Sequence, residues 1–152
     1  MIIIREAILG DEKDILLLVK ELAVYEKEPD AVEITTEEIR SHLFDEQICN
    51  AIVAVDNDQI IGFALYYTSY STWKGKCLYL EDLYVKAEMR KTGVGKKLFE
   101  RVSQDAQFKK ARRMEWRVYD WNQPAIDFYL KLGAQLNKNW LSGRLEFDYK
   151  IK

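Results

Sequence analysis

"RKTGVGKKL", residues 90–98, is the stretch on which the fold turns. A basic residue, two glycines and two further lysines stand just before an amphipathic run. Glycine-rich turns that open a helix hold phosphate, because unbonded backbone N–H groups and the helix dipole both favour an anion there. A Walker A loop fails here, since Lys97 stands where Ser or Thr must follow Gly95-Lys96. A dinucleotide fingerprint fails too, because its third glycine would replace Leu98 and its turn should follow an early strand. The pattern Arg/Gln-x-x-Gly-x-Gly/Ala fits, filled by Arg90, Gly93 and Gly95. On motif grounds alone, the same residues also suit a plain turn on a solvated basic helix start.

The flanks are more specific. Before the turn, "KCLYLEDLYV" reads as a mostly apolar and therefore central strand. After it, Val94, Leu98, Val102 and Ala106 share one face of a helix. Further out, "NAIVAV" and "QIIGFALYYTSY" flank "DND" as a hairpin. "MIIIREA" is an opening strand, followed by a helix carrying Ile15, Leu18, Val19 and Leu22 and expected to end at Pro29. Thr35 and Glu38 form a capping box that opens a second, short helix. Downstream, "RMEWRVYDW" is strand-like, and "NQPAIDFYLKLG" is a helix with Asn122 as N-cap, Pro124 in the first turn and Gly133 as the stop. "RLEFDYKI" alternates as a final strand would. The order β-α-α-β-β-β-α-β-α-β describes one mixed α/β domain over residues 1–152.

Bulk properties remove several function classes. A chain of 152 residues, 48% hydrophobic and 32% charged, can bury a proper core and is too apolar for wholesale disorder. A net charge of −2 argues against a nucleic-acid partner. One histidine, His42, and two cysteines, Cys49 and Cys77, lack metal-type spacing, so no metal is expected and both thiols are read as buried and free. No apolar run approaches the ~20 residues of a membrane helix. "MIIIREAILGDE" is charged too soon for a signal peptide, and a cytoplasmic protein without a membrane partner is expected.

Some residues are hard to explain by packing. Glu81 and Asp82 interrupt the apolar strand, where charge is costly without a partner or a use. Strict alternation places them on opposite faces unless a bulge re-aims one. The alternative is a salt-bridged strand end. Tyr129 lies on the helix after Asn122, as a core aromatic or a proton donor.

Taken together, "IREA", the hairpin, "LYLEDLYV", the glycine turn and "DWNQPAIDFYLKLGA" resemble the GNAT superfamily of N-acetyltransferases. "LAVYEKE", "GFALYYTSYSTWKGKCLYLEDLYV" and "DWNQPAIDFY" are most similar to its spermidine/spermine (diamine/thialysine) branch. The resemblance implies a single-domain GNAT fold, with a mixed, mostly antiparallel central sheet flanked by helices. It implies acetyl-CoA as co-substrate, a small-molecule amine as acceptor and a homodimer. The backbone of Leu83, Tyr84 and Val85 would align the acetyl-pantetheine arm. Arg90, Lys91, Gly93, Val94, Gly95 and Lys96 would surround the pyrophosphate. Asn122, Pro124, Ala125 and Tyr129 would contact the rest of the cofactor.

The same resemblance makes Glu81 the base or proton relay and Tyr129 the acid that protonates the departing sulfur. Tyr25, Glu26, Trp73, Glu81, Asp82, Trp116 and Trp140 would contact the acceptor. The chain departs from the polyamine pattern at Leu141 and Gly143, where that branch has an acidic residue and a tryptophan. Glu115, Trp116 and Arg117 depart as well, and Arg117 would oppose a cation if it faced the cleft. Diamines, polyamines and lysine-like amino acids all fit as acceptors. Acetylation of a protein N-terminus or lysine, and a non-catalytic acyl-CoA sensor, are the alternatives.

Overall fold

Asn57 and Asp58 both adopt positive φ, and they fold β2 (Asn50–Asp56) back onto β3 (Gln59–Ser71). Short polar side chains tolerate left-handed backbone better than most, so "DND" is turn chemistry. The computed structural model describes residues 1–149. In it β1 (Ile2–Glu6), β4 (Gly75–Val85) and β5 (Met114–Glu115) complete a five-stranded sheet in the order β1-β2-β3-β4-β5. All pairings are antiparallel except β4–β5, which is parallel. Four α-helices accompany it: α1 (Glu12–Tyr25), α2 (Thr36–Arg40), α3 (Val94–Phe108) and α4 (Gln123–Lys131). The chain divides into two compact units, Met1–Arg117 with the sheet and α1 to α3, and Val118–Lys152 with α4.

In the first unit, successive β2 residues alternate between two cores, as a pleated strand requires. Ile52 and Ala54 join Leu78, Leu80 and the α3 stripe Val94, Leu98, Val102 and Ala106. Val53 joins Phe63 and Tyr84 beneath α1 and α2, with Ile15, Leu18 and Ile39. Each fully buried Val, Leu, Ile or Phe among them contributes roughly 1.5–3 kcal/mol. At Gly62 a Cβ would lie 2.9 Å from the Tyr84 carbonyl oxygen and 3.3 Å from a Leu98 methyl. A side chain there would press on β4 and α3 at once, which glycine avoids.

The capping box holds as expected: the Glu38 N–H donates to Thr35 Oγ1, and the Thr35 N–H donates to the Glu38 carboxylate, both at 3.2 Å. Three readings need correction. α1 ends at Tyr25, before Pro29, because Lys27 already sits at φ 64° and its predecessor closes the helix by bonding back to Leu22. Only Met114–Glu115 of the "RMEWRVYDW" run is strand. The tail shows no strand over residues 144–149, where Leu145, Phe147 and Tyr149 are exposed. Lys150 and Ile151 lie outside the described residues. Alternation supplies a side-chain face, but a strand also needs a ladder partner, and the described residues provide none there.

Candidate active site

The pairing of β3 with β4 slips at one place. Leu65 lies opposite Asp82 and Tyr66 opposite Leu80, so Glu81 is an extra residue in β4. The parity of the strand changes across this bulge. Leu78 and Leu80 face the α3 core before it, and Leu83 and Val85 face the same core after it. Glu81 and Asp82, between them, are therefore both turned toward the other face, which strict alternation would forbid.

Glu26, at the C-terminal cap of α1, completes an acidic group. Burial, then the Glu81 and Glu26 carboxylates, push the half-buried Asp82 carboxyl up to about 7. Burial and Glu81 likewise raise Glu26 above its ordinary value. Such a group attracts an ammonium ion and holds a carboxyl poised to exchange protons near neutral pH.

Beside the carboxylates stand three residues that sequence reasoning did not gather. Tyr67 and Tyr79 are cross-strand partners with ring centroids 5.4 Å apart. Arg117 Nε donates to the Tyr79 hydroxyl at 2.9 Å. The guanidinium is raised by Tyr79 first, and further by Glu81 and Tyr67. Arg117 therefore stands close enough to Glu81 and Tyr67 for their charges to act on its guanidinium.

Past β4 the chain forms a 3₁₀ turn (Ala87–Met89), and Lys91 then takes φ 63° and Gly93 φ 88° before α3 starts at Val94. No acidic side chain occupies the first turn of α3. Arg90, Lys91 and Lys96 surround that helix start in sequence, which leaves its first amides as anion donors. Arg90 ties the turn to the neighbouring elements. Its Nε donates to the Val85 carbonyl at 3.1 Å, and its guanidinium lies 5.0 Å from the Tyr25 ring and 5.3 Å from that of Tyr84. β4 meets β5 only at Leu78–Met114 and Tyr79–Glu115, so its outer edge along Leu83, Tyr84 and Val85 has no strand partner among the described residues. An extended arm can add there as a strand. A basic left-handed turn at a helix start, next to an open strand edge, fits an acyl-CoA.

Two tryptophans expected at the acceptor are not brought to the acidic group. Trp73 sits exposed in the β3–β4 turn, about 20 Å along β4 from Glu81 by strand rise. Trp116 meets Phe99 edge-on at 5.4 Å and packs on the α3 core, the opposite face of the sheet. In the second unit, Asn122 is buried and caps α4, its side-chain oxygen accepting the Ala125 N–H at 3.4 Å, with Pro124 in the first turn. Tyr129 is buried on α4, its carbonyl accepting the Leu132 and Ala134 N–H groups at 3.1 Å each. Trp140 is exposed.

Fold and site together define an acyl-CoA-dependent acyltransferase. Residues 16–134 match the Acetyltransferase (GNAT) family, and the chain belongs to it. The chain is similar to the Bos taurus thialysine N-epsilon-acetyltransferase, 43% identical over 143 residues that cover 88% of this chain and 84% of that protein. It is also similar to the Homo sapiens spermidine/spermine N(1)-acetyltransferase-like protein 1, 39% identical over 86% of this chain but only 20% of that longer protein. Among solved structures, a Vibrio cholerae integron cassette protein shares the fold with a TM-score of 0.78 at 24% identity, covering 96% of this chain and 93% of its own. The family's acetyl donor is acetyl-CoA. Among the described residues no group of three or more His, Cys, Asp or Glu could hold a metal ion, and no helix is long and apolar enough to cross a membrane.

Proposed function

We propose that this chain transfers an acetyl group from acetyl-CoA to the primary amine of a small molecule: a diamine, a polyamine or a lysine-like amino acid. The observation that carries this reading is the β4 bulge, which sets Glu81 and Asp82 on one face beside Glu26. The relatives named for thialysine and for spermidine/spermine support a small amine over other acceptors. The family match runs across the boundary at Arg117, which supports reading residues 1–152 as one catalytic domain.

The chemistry has two proton problems. A lysine-like amine with a pKa of about 10.4 is neutral only about once in a thousand molecules at pH 7. Glu81, directly or through water, takes the proton that exposes the lone pair, while Asp82, Glu26 and Tyr25 hold the ammonium before transfer. Acetyl-CoA supplies the thioester carbonyl. The amine nitrogen bonds to that carbon as the carbon–sulfur bond breaks, and the Tyr129 hydroxyl gives its proton to the departing sulfur. Leu83, Tyr84 and Val85 align the acyl arm by their backbone. Arg90, Lys91, Gly93, Val94, Gly95 and Lys96 hold the pyrophosphate, and Asn122, Pro124 and Ala125 the remaining arm. A cytoplasmic homodimer is part of the same reading and rests on the family alone.

The test is release of the CoA thiol from acetyl-CoA with spermidine, putrescine, lysine, thialysine and a basic peptide. Turnover with a small amine is expected. Turnover confined to the peptide would move the function to protein acetylation. Acetyl-CoA binding without turnover of any acceptor would contradict the reading.

A further inference from the structure

We infer that the Arg90 side chain is a positioning residue for the acceptor: stacked on Tyr25, it fixes the end of α1, so that a cofactor held by the glycine turn tightens the binding of the amine. This rests on the amine-acetyltransferase reading and adds a coupling between its two substrates.

The end of α1 calls for a cation. Its last turn carries no basic residue, while Glu21 and Glu26 bring two carboxylates near the negative end of the helix dipole. Arg90 reaches this place from outside the helix. Its guanidinium lies 5.0 Å from the ring of Tyr25, the last residue of α1, and 5.3 Å from that of Tyr84 on β4. Aromatic faces attract a guanidinium over such distances. Tyr84 is buried, and its hydroxyl donates to Glu21 at 3.2 Å. Burial and then Glu21 push the Tyr84 phenol up, and Arg90 works against both. Glu21 and Tyr25 stand four residues apart on one face of α1, so a single cation on the turn engages that face twice.

The same side chain is tied to the cofactor side. Its Nε donates to the Val85 carbonyl at 3.1 Å, at the end of β4 where the acyl arm adds. Lys91 follows at φ 63° and Gly93 at φ 88°, forming the left-handed turn before α3. A pyrophosphate gripped there restrains Lys91 and, through the chain, Arg90. Tyr25 is then held by the stacked guanidinium. Glu26, the next residue, belongs to the acidic group around Glu81 and Asp82. Ordering by the first ligand lowers the ordering cost of the second. Such coupling is reciprocal, and it cannot exceed the energy of the contact that carries it. One solvent-accessible cation–π contact corresponds to a factor of about two to five.

Calorimetry of CoA binding, without and with saturating amine, reads the coupling directly, because CoA has no acetyl group to give. The amine is spermidine or thialysine, whichever wild type acetylates. The proteins are wild type, Arg90→Gln, Arg90→Lys, Tyr25→Leu, Tyr25→Phe and the double variant Arg90→Gln with Tyr25→Leu. In wild type the amine should tighten CoA about two- to fivefold, and Tyr25→Phe, which keeps the ring, should retain this. Arg90→Gln and Tyr25→Leu should each abolish it, whatever they do to the affinity for CoA alone. Arg90→Lys should keep part of it, since an ammonium lacks the stacking plane. KM for the amine should rise by the same factor in Arg90→Gln, and Arg90→Gln should add nothing to Tyr25→Leu in the double variant. CoA binding shows that each variant is folded, and Tyr25→Leu tests the link without touching the turn. Unchanged coupling in Arg90→Gln would overturn the inference and leave Arg90 a plain contact for the pyrophosphate. Additive losses in the double variant would also refute it, since Arg90 would not then act through Tyr25. Absence of coupling in a wild type that turns over the amine would sink the inference and leave the amine-acetyltransferase reading standing. A wild type that acetylates neither amine would overturn that reading and this inference with it.

Discussion

Replacing Asp82 with asparagine should stabilise the protein while impairing it. The Asp82 carboxyl rises from an ordinary 3.8 to about 7 on folding, through burial and then the neighbouring Glu81 and Glu26. A group whose pKa is raised by folding stabilises the folded state below its unfolded pKa, relative to its ionised form. That contribution is lost as pH rises, beginning near pH 4 where the unfolded carboxyl ionises and ending near pH 7 where the folded one does. The whole difference corresponds to roughly 4 kcal/mol. Asp82 is only half-buried, so water screens part of it, and about 1–3 kcal/mol is the working expectation at pH 8. Asp82→Asn removes this penalty. Urea unfolding should therefore show the variant more stable than wild type at pH 8, with the advantage shrinking steadily toward pH 4. Its kcat/KM for the amine should fall about tenfold or more, as a site that loses charge for the ammonium must. A variant less stable than wild type at pH 8, or one whose advantage does not change with pH, would refute the account of the acidic group.

Two glycines should respond to alanine for different reasons. Gly62→Ala places a methyl 2.9 Å from the Tyr84 carbonyl oxygen, so thermal unfolding should show a loss of about 1–3 kcal/mol. Gly93→Ala meets no atom within 4 Å but forces alanine to φ 88°, which costs about 1–2 kcal/mol. Because Gly93 opens α3, the loss should fall on acetyl-CoA affinity, measurable by calorimetry, rather than on the core.

Local chemistry was legible in the sequence, and long-range register was not. The Thr35 box, the "DND" turn, the α3 stripe and the Asn122 cap are each set within a few residues, and each forms as read. The β4 bulge is a relation between two strands, and neither Leu65-Tyr66 nor Leu80-Glu81 marks it with a glycine or proline. Alternation alone therefore separates Glu81 from Asp82, although both names were already in view. Arg117 is adjacent in space to Tyr79, thirty-eight positions away, through a hydrogen bond that no spacing rule announces. Trp73 and Trp116 show the converse. Their position in sequence suits an acceptor wall, but hairpin length carries one away and sheet pleat turns the other into the α3 core. The tail strand was legible as alternation but lacks a ladder partner within residues 1–149.

The central claim is that Glu81 and Tyr129 move protons in an acetyl transfer that the glycine turn merely supports. Its most direct test measures kcat for a small amine and Kd for acetyl-CoA in Glu81→Gln and Tyr129→Phe. The account predicts a fall in kcat of about 10²–10⁴ in each, with acetyl-CoA still bound near its wild-type affinity. Undiminished kcat in both variants would contradict it.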